Sequence, residues 1–238
     1  MPGVLGARYS ALAAGRPVPT PRTVRIFQDR LVASPQLDHL IGANQFFTDL
    51  AHRARAHPAH RLACWWSAEH TAAVFAGRIH PDGYGIWETS PDGDHRPHDQ
   101  DSDRSSGPGG LEQDDDLLHD GTRTPSRSSV GFWLEYDTGS ESLSRLVRKL
   151  DAYQRLLEQA GPDHPVLFWL PTRRRQDHLH RLLAEVPTVY RVTIATGVHT
   201  PPTADSPAAA VWRYRHPSGD EQDGLRLQDL SIGQTPRR

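Results

Sequence analysis

The chain has 238 residues, 27 basic and 29 acidic side chains, and a formal net charge of −2. That length suits one domain of ordinary size with tails, or two small ones. Apolar residues make up 36% against 19 glycines and 20 prolines, which reads as a globular core diluted by irregular stretches. No run of about 18 apolar residues is present, which excludes a membrane-spanning helix, and the N-terminus lacks the apolar core and cleavage site of a signal peptide. A single cysteine, Cys64, excludes an internal disulfide and any multi-cysteine zinc site. The chain reads as soluble and cytoplasmic, with no membrane partner.

In chain order, residues 1–37 are rich in Pro and Ala and are expected to be a flexible segment. Residues 38–57, with Phe46, Phe47 and Leu50, suit one or two helices that stop before Pro58. A short strand follows at Leu62–Trp66, then a second at Arg78–Trp87, kinked at Pro81. Residues 89–129 hold ten acids and four arginines and almost nothing apolar, the pattern of a disordered insertion. Outside them the chain carries 23 basic and 19 acidic residues, a mildly basic balance compatible with nucleic acid.

Gly131–Asp137 is expected as a third strand, and Thr138-Gly-Ser-Glu141 as a capping box. The helix it opens places Leu143, Leu146, Val147, Leu150, Tyr153 and Leu157 on one stripe. Pro165–Leu170 is an unbroken apolar strand of the kind buried on both faces. A helix at 173–186 and a strand at Tyr190–Thr196 complete a domain over 38–197, and 198–238 reads as a mostly irregular Pro-rich tail with one short strand at 210–214. The order α-β-β-β-α-β-α-β predicts an α/β fold, a mixed central sheet flanked by helices.

The strand period puts Trp133, Glu135 and Asp137 on one face and Phe132, Leu134 and Tyr136 on the other. Two carboxylates in so apolar a strand repel and desolvate each other. A cation relieves both penalties, and hard oxygens with water suit magnesium. Asp82, on the neighbouring strand, can supply a third carboxylate. The competing reading has Glu135 and Asp137 merely end the strand or cap the next helix.

Of the 27 basic residues 26 are Arg, which makes the one lysine, Lys149, stand out. It lies one turn before Tyr153 in the helix after the acidic strand. Its ammonium can orient a water or steady developing negative charge, with Tyr153 in support; alternatively it is a solvated helix lysine. Arg173, Arg174 and Arg175 open the next helix against its macrodipole, and a phosphate there would be held by free amides and guanidinium groups. His178 and His180 sit about 200° apart in a helix and cannot readily share one ion.

Pro81-Asp82 on a hairpin, Glu135-x-Asp137 on the next strand, and a crossover helix to a parallel strand resemble the PD-(D/E)xK nuclease core. The resemblance implies a restriction-endonuclease-like fold that binds magnesium through Asp82 and Glu135 and hydrolyses phosphodiesters. The position that carries Lys in that motif is Asp137 here, and Lys149 stands in for it from the helix. More of the chain, from about 38 to 197, resembles the replication-relaxation family of actinobacteria and related Gram-positives. The shared motifs are His39-Leu-Ile-Gly-Ala-Asn44, Trp66-x-x-Glu69, Pro81-Asp82-Gly83, Glu135-Tyr-Asp137-Thr-Gly139, Lys149-Leu-x-x-Tyr153 and Pro165-Val-Leu-Phe-Trp. This resemblance implies a protein of plasmid or mobile-element replication or DNA relaxation, with DNA and other replication proteins as partners. The resemblance also implies that members usually carry a winged-helix domain before this region; the 37 residues ahead of Asp38 are expected to be too few for one, as in a shortened copy.

The expected activity is therefore magnesium-dependent nicking of DNA, with Asp82, Glu135 and Asp137 on the ion and Lys149 and Tyr153 as catalytic groups. The alternatives are a catalytically inactive DNA- or protein-binding accessory domain and a degraded mobile-element fragment.

Overall fold

The computed structural model describes residues 3–13, 15–32, 34, 36–90, 127–186, 190–199, 207–216 and 219–233. Its elements are helices α1 (Val4–Ala13), α2 (Pro21–Val32) and α3 (Leu37–Ala56), strand β1 (His60–Ser67), helix α4 (Ala68–Val74), strands β2 (Gly83–Thr89) and β3 (Ser128–Tyr136), helix α5 (Leu143–Glu158), strand β4 (Val166–Leu170), helix α6 (Arg173–Glu185), strands β5 (Ile194–Val198), β6 (Trp212–Arg215) and β7 (Glu221–Leu225), and a 3-10 helix at Leu227–Gly233. Among the described residues, no helix is long and apolar enough to cross a membrane.

The strands form one seven-stranded sheet in the order β1-β2-β3-β4-β5-β6-β7. β1, β2 and β3 are an antiparallel meander, and β3, β4 and β5 are parallel. β6 and β7 return antiparallel. A parallel neighbour needs a crossover, and α5 and α6 supply the two required.

Two apolar cores cover the two sheet faces, as the alternation in β3 requires. On one, Phe46, Phe47 and Leu50 of α3 pack with Phe132, Leu134, Leu167, Trp169 and Trp212, closed below by Leu227 and Leu230. On the other, Leu146, Leu150 and Leu156 of α5 and Leu179 of α6 pack with Trp133, Val166, Phe168 and Leu170. Each fully buried Leu or Phe contributes roughly 1.5–3 kcal/mol.

Several expectations change. Residues 1–37 carry two helices, because their prolines bound the helices rather than break them: Pro21 opens α2, where a missing N–H costs nothing. Thr20 Oγ1 accepts the Thr23 N–H at 3.1 Å as its cap. Ala11 and Val24 are buried there, while Leu5, Tyr9, Leu12 and Phe27 stay exposed. A short helix not expected from the sequence, α4, is capped by Ser67, whose side chain accepts the His70 N–H. β2 starts after Pro81 rather than at Arg78, since proline cannot donate to the ladder. β5 covers Ile194–Val198 rather than Tyr190–Thr196.

The capping box at Thr138–Glu141 does not form. Gly139 adopts a positive φ of 85°, Thr138 Oγ1 bonds Ser140 instead, and α5 begins after Ser142. The tail read as mostly irregular holds β6, β7 and the 3-10 helix. A polar network fastens it: Glu221 of β7 meets His180 at 3.0 Å and both Arg213 and Arg215 at 2.6 Å. Burial works against the charge of Glu221, but His180 and the two arginines hold its carboxyl down at about 2. Most of the acidic insertion expected at 89–129 lies outside the described residues; at its ends Thr89 pairs with Ser128.

Candidate functional site

β3 is the strand around which the site is built. Its carboxyl end lies beside the start of β2, with Gly83 opposite Leu134, and beside the carboxyl end of β4, with Tyr136 opposite Trp169. In open α/β sheets the carboxyl ends of parallel strands form the usual binding crevice.

Asp82 stands one residue before β2. Its backbone N–H donates to the Leu134 carbonyl at 2.8 Å, which fixes its Cα against β3. Its Oδ2 accepts the Tyr136 N–H at 2.7 Å, and its Oδ1 meets His39 Nε2 of α3 at 2.8 Å. The hydrogen bond to Asp82, aided by its charge, raises the His39 pKa above the usual imidazole value against burial.

Glu135 points to the other side of β3 and is only 1% exposed. Lys149 Nζ donates to its Oε2 at 2.7 Å and the Tyr153 hydroxyl to its Oε1 at 2.5 Å. Lys149 and Tyr153 are four residues apart on α5 and so share a face. Burial pushes the Glu135 carboxyl up to about 7, against the pull of Lys149; the negative charge of Asp82 adds to the rise. Burial disfavours the Lys149 ammonium, yet Glu135 beside it holds its proton more tightly than usual. Burial first, and then Glu135, raise the Tyr153 hydroxyl well above its ordinary value.

Five side chains thus share one electrostatic unit: His39 from α3, Asp82 from the β2 entry, Glu135 from β3, and Lys149 and Tyr153 from α5. Asp82 acts on Glu135, Lys149 and Tyr153 alike. The Lys149 side chain is 29% exposed, so its ammonium spans from the buried carboxylate to solvent.

Asp137 does not join them. Its carboxylate takes both a short Nε bond and an Nη2 bond from Arg175, and it accepts the Gly139 N–H at 2.9 Å. Arg175 also donates to the Glu141 carbonyl at 2.5 Å. The strand period brings Asp137 to the α5–α6 face as expected, but α6 rather than a cation neutralises it. The three-arginine phosphate grip changes for the same reason. Arg175 is committed to Asp137, Arg173 bonds Gln176 at 3.0 Å, and Arg173 and Arg174 remain exposed. His180 is buried between Thr196 and Glu221.

The residue that sequence reasoning left without a role is His39. A histidine in the first turn of an amphipathic helix carries no local sign of an aspartate 43 positions away.

As a cation site the arrangement offers two hard carboxylates, Asp82 and Glu135, rather than three. Among the described residues, no group of three or more His, Cys, Asp or Glu side chains is placed to hold a metal ion. Both oxygens of each carboxylate are already engaged, Asp82 by the Tyr136 N–H and His39 and Glu135 by Lys149 and Tyr153; a magnesium ion, which keeps several waters and takes one or two protein oxygens, would have to share them.

No curated protein and no solved structure matches the chain. The replication-relaxation family matches residues 3–167. That span starts earlier than the 38–197 expected from motifs, taking in α1 and α2, and stops inside β4. It holds the side chains that bond Asp82 or Glu135, namely His39, Lys149 and Tyr153, and by this match the chain belongs to the replication-relaxation family.

Proposed function

We propose that the protein processes DNA in plasmid or mobile-element replication, cutting or nicking a phosphodiester at the Asp82–Glu135–Lys149 centre. The observation that carries this is the only lysine of the chain bonded to the buried Glu135, with the charge of Asp82 acting on both, at the carboxyl end of a parallel strand pair. The antiparallel β1–β2–β3 meander leading into β3–α5–β4 supports a restriction-endonuclease-like core, and family membership supports DNA as substrate.

Asp82 and Glu135 would hold magnesium, which when bound supplies charge neutralisation at the phosphate and a water of lowered pKa. Lys149 favours the ionised form of Glu135 against burial and, reaching solvent, presents N–H donors to negative charge developing on the phosphate. Tyr153 fixes the Glu135 rotamer through its hydroxyl bond, and the Tyr136 N–H fixes Asp82. Asp137 and Arg175 take no part.

The test is calorimetry with Mg²⁺ and Mn²⁺ alongside nicking of supercoiled plasmid. Wild type should bind and nick, and Glu135→Gln should lose both. The burial of Glu135 favours one rival, a silent accessory domain. Wild type that binds DNA but neither ion, and leaves plasmid intact, would decide for that rival.

The α1–α2 pair supports DNA as partner. Through residue 32 the chain has five arginines, Arg8, Arg16, Arg22, Arg25 and Arg30, against Asp29 alone. All five are exposed. Outside this stretch and the 89–129 insertion the charges balance, 18 basic against 18 acidic. Arg22→Ala with Arg25→Ala should weaken duplex binding uniformly across sequences. It should also flatten the plot of log affinity against log salt by about 2. Fluorescence anisotropy across a KCl series measures this, and an unchanged slope would take the helices out of the interface.

A further inference from the structure

We infer that His39 is a positioning residue, set by α3 to hold the Asp82 carboxylate in the orientation the Asp82–Glu135–Lys149 centre needs. The inference rests on the reading of that centre as the reactive site. Asp82 has a fixed backbone, through its N–H on the Leu134 carbonyl, and two free torsions in its side chain. The Tyr136 N–H ties down Oδ2, a bond that any residue at 136 except proline would make. His39 Nε2 ties down Oδ1 and is the side chain that stops the carboxylate from pivoting about that first bond.

The placement of His39 is itself built. One turn further along α3, Gly42 lies so close to the Tyr136 ring that a Cβ there would overlap it. The helix can therefore press onto β3 only with glycine at 42. That approach brings His39 edge-on to the same ring, at 5.7 Å between centroids and 86° between planes. The Tyr136 ring is backed in turn by His199, stacked at 5.1 Å and 15°. His199 is anchored by its Nε2, 3.3 Å from the Asp137 carbonyl. The imidazole is thus aimed at Asp82 by a glycine contact and an aromatic stack, and it is polar contact with the carboxylate that this packing serves.

Partners that orient a ligating group typically matter by about 10–100-fold in metal affinity. Mn²⁺ titrations of the full chain would compare wild type, His39→Ala and His39→Gln, whose amide nitrogen can still donate to Oδ1. The expected result is affinity about 10–100-fold lower in His39→Ala and largely regained in His39→Gln. Equal affinity in wild type and His39→Ala would overturn the inference. The Tyr136 amide resonance and its hydrogen exchange give a second reading that needs no metal. The amide should shift and exchange faster in His39→Ala, and stay near wild type in His39→Gln. If wild type binds no Mn²⁺, the cation reading of the centre fails, and the Tyr136 amide alone decides on His39. An amide unmoved in His39→Ala would then overturn the positioning role as well.

Discussion

Replacing Lys149 with Met is expected to cost little stability near pH 5 and several kcal/mol near pH 8.5. Removing one partner of a buried ion pair typically costs about 3–5 kcal/mol, because the remaining charge is left uncompensated. Here that remaining charge is the Glu135 carboxylate, 1% exposed. It has a second way out, which is to take up a proton. In the wild type its pKa already lies at about 7, above the ordinary 4.5, through burial. A carboxylate whose folded pKa is raised binds its proton more tightly folded than unfolded. Its favourable contribution is whole below the unfolded pKa and is lost as pH rises through the folded one. On this group's account wild-type stability falls between about pH 4.5 and 7 and then levels. Without Lys149 the folded pKa climbs further, so the fall continues into alkaline pH and the two curves diverge above neutrality. Urea unfolding at pH 5, 7 and 8.5 measures the divergence. A loss of equal size at all three would mean that Glu135 does not titrate in this range. Glu135→Gln in the Lys149→Met background should remove the pH dependence and return part of the stability.

Arg175→Met should cost about 3–5 kcal/mol as well, since it strands a carboxylate, Asp137, that is 2% exposed. The pair is bidentate, the geometry in which arginine and carboxylate bind most strongly. Arg175 also ties the Glu141 carbonyl, so its loss loosens the approach to α5. Adding Asp137→Asn should recover much of the loss, and the double-mutant cycle should return a large coupling energy. The cycle also separates two roles for Asp137. As the partner of α6, Asp137→Asn changes the denaturation midpoint and leaves Mn²⁺ affinity alone. If Mn²⁺ affinity collapses with Asp137→Asn while Asp82→Asn leaves it intact, Asp137 is the ligand after all and Asp82 is not.

How far the sequence reached depended on how local the cause was. The β3 alternation assigned Trp133 and Glu135 to one face and Phe132 and Leu134 to the other, and the two cores divide in that way. The α5 stripe holds, with Leu156 rather than Leu157 fully buried. Lys149 stood out by residue usage, and it reaches Glu135 because both lie on the face between β3 and α5. What failed had distant causes. β7, Glu-Gln-Asp-Gly-Leu, has no strand-like pattern; it forms because Glu221 meets His180, Arg213 and Arg215 and its backbone pairs with β6. Asp137 was assigned to a cation because its partner, Arg175, lies 38 residues on and was itself assigned to phosphate. The lesson from that pair is that two unmatched charges in a sequence are candidates for each other before they are candidates for ligands. The N-terminal prolines were read as composition, when their positions, just outside and at the first residue of helices, carried the information.

The strands lie across the sheet in the order in which they are made. The side chains that bond Asp82 or Glu135 have therefore left the ribosome by the time β4 emerges from it, while β5, β6 and β7 are still to follow. At that moment Val166–Leu170, buried on both faces in the finished protein, is the open edge of the sheet. A flat apolar edge invites pairing with other chains, and the later strands arrive as its cover. The last third of the chain thus acts as a cap on a nascent intermediate: a chain truncated after residue 170 and released would carry the side chains that bond Asp82 and Glu135 and leave a sticky edge.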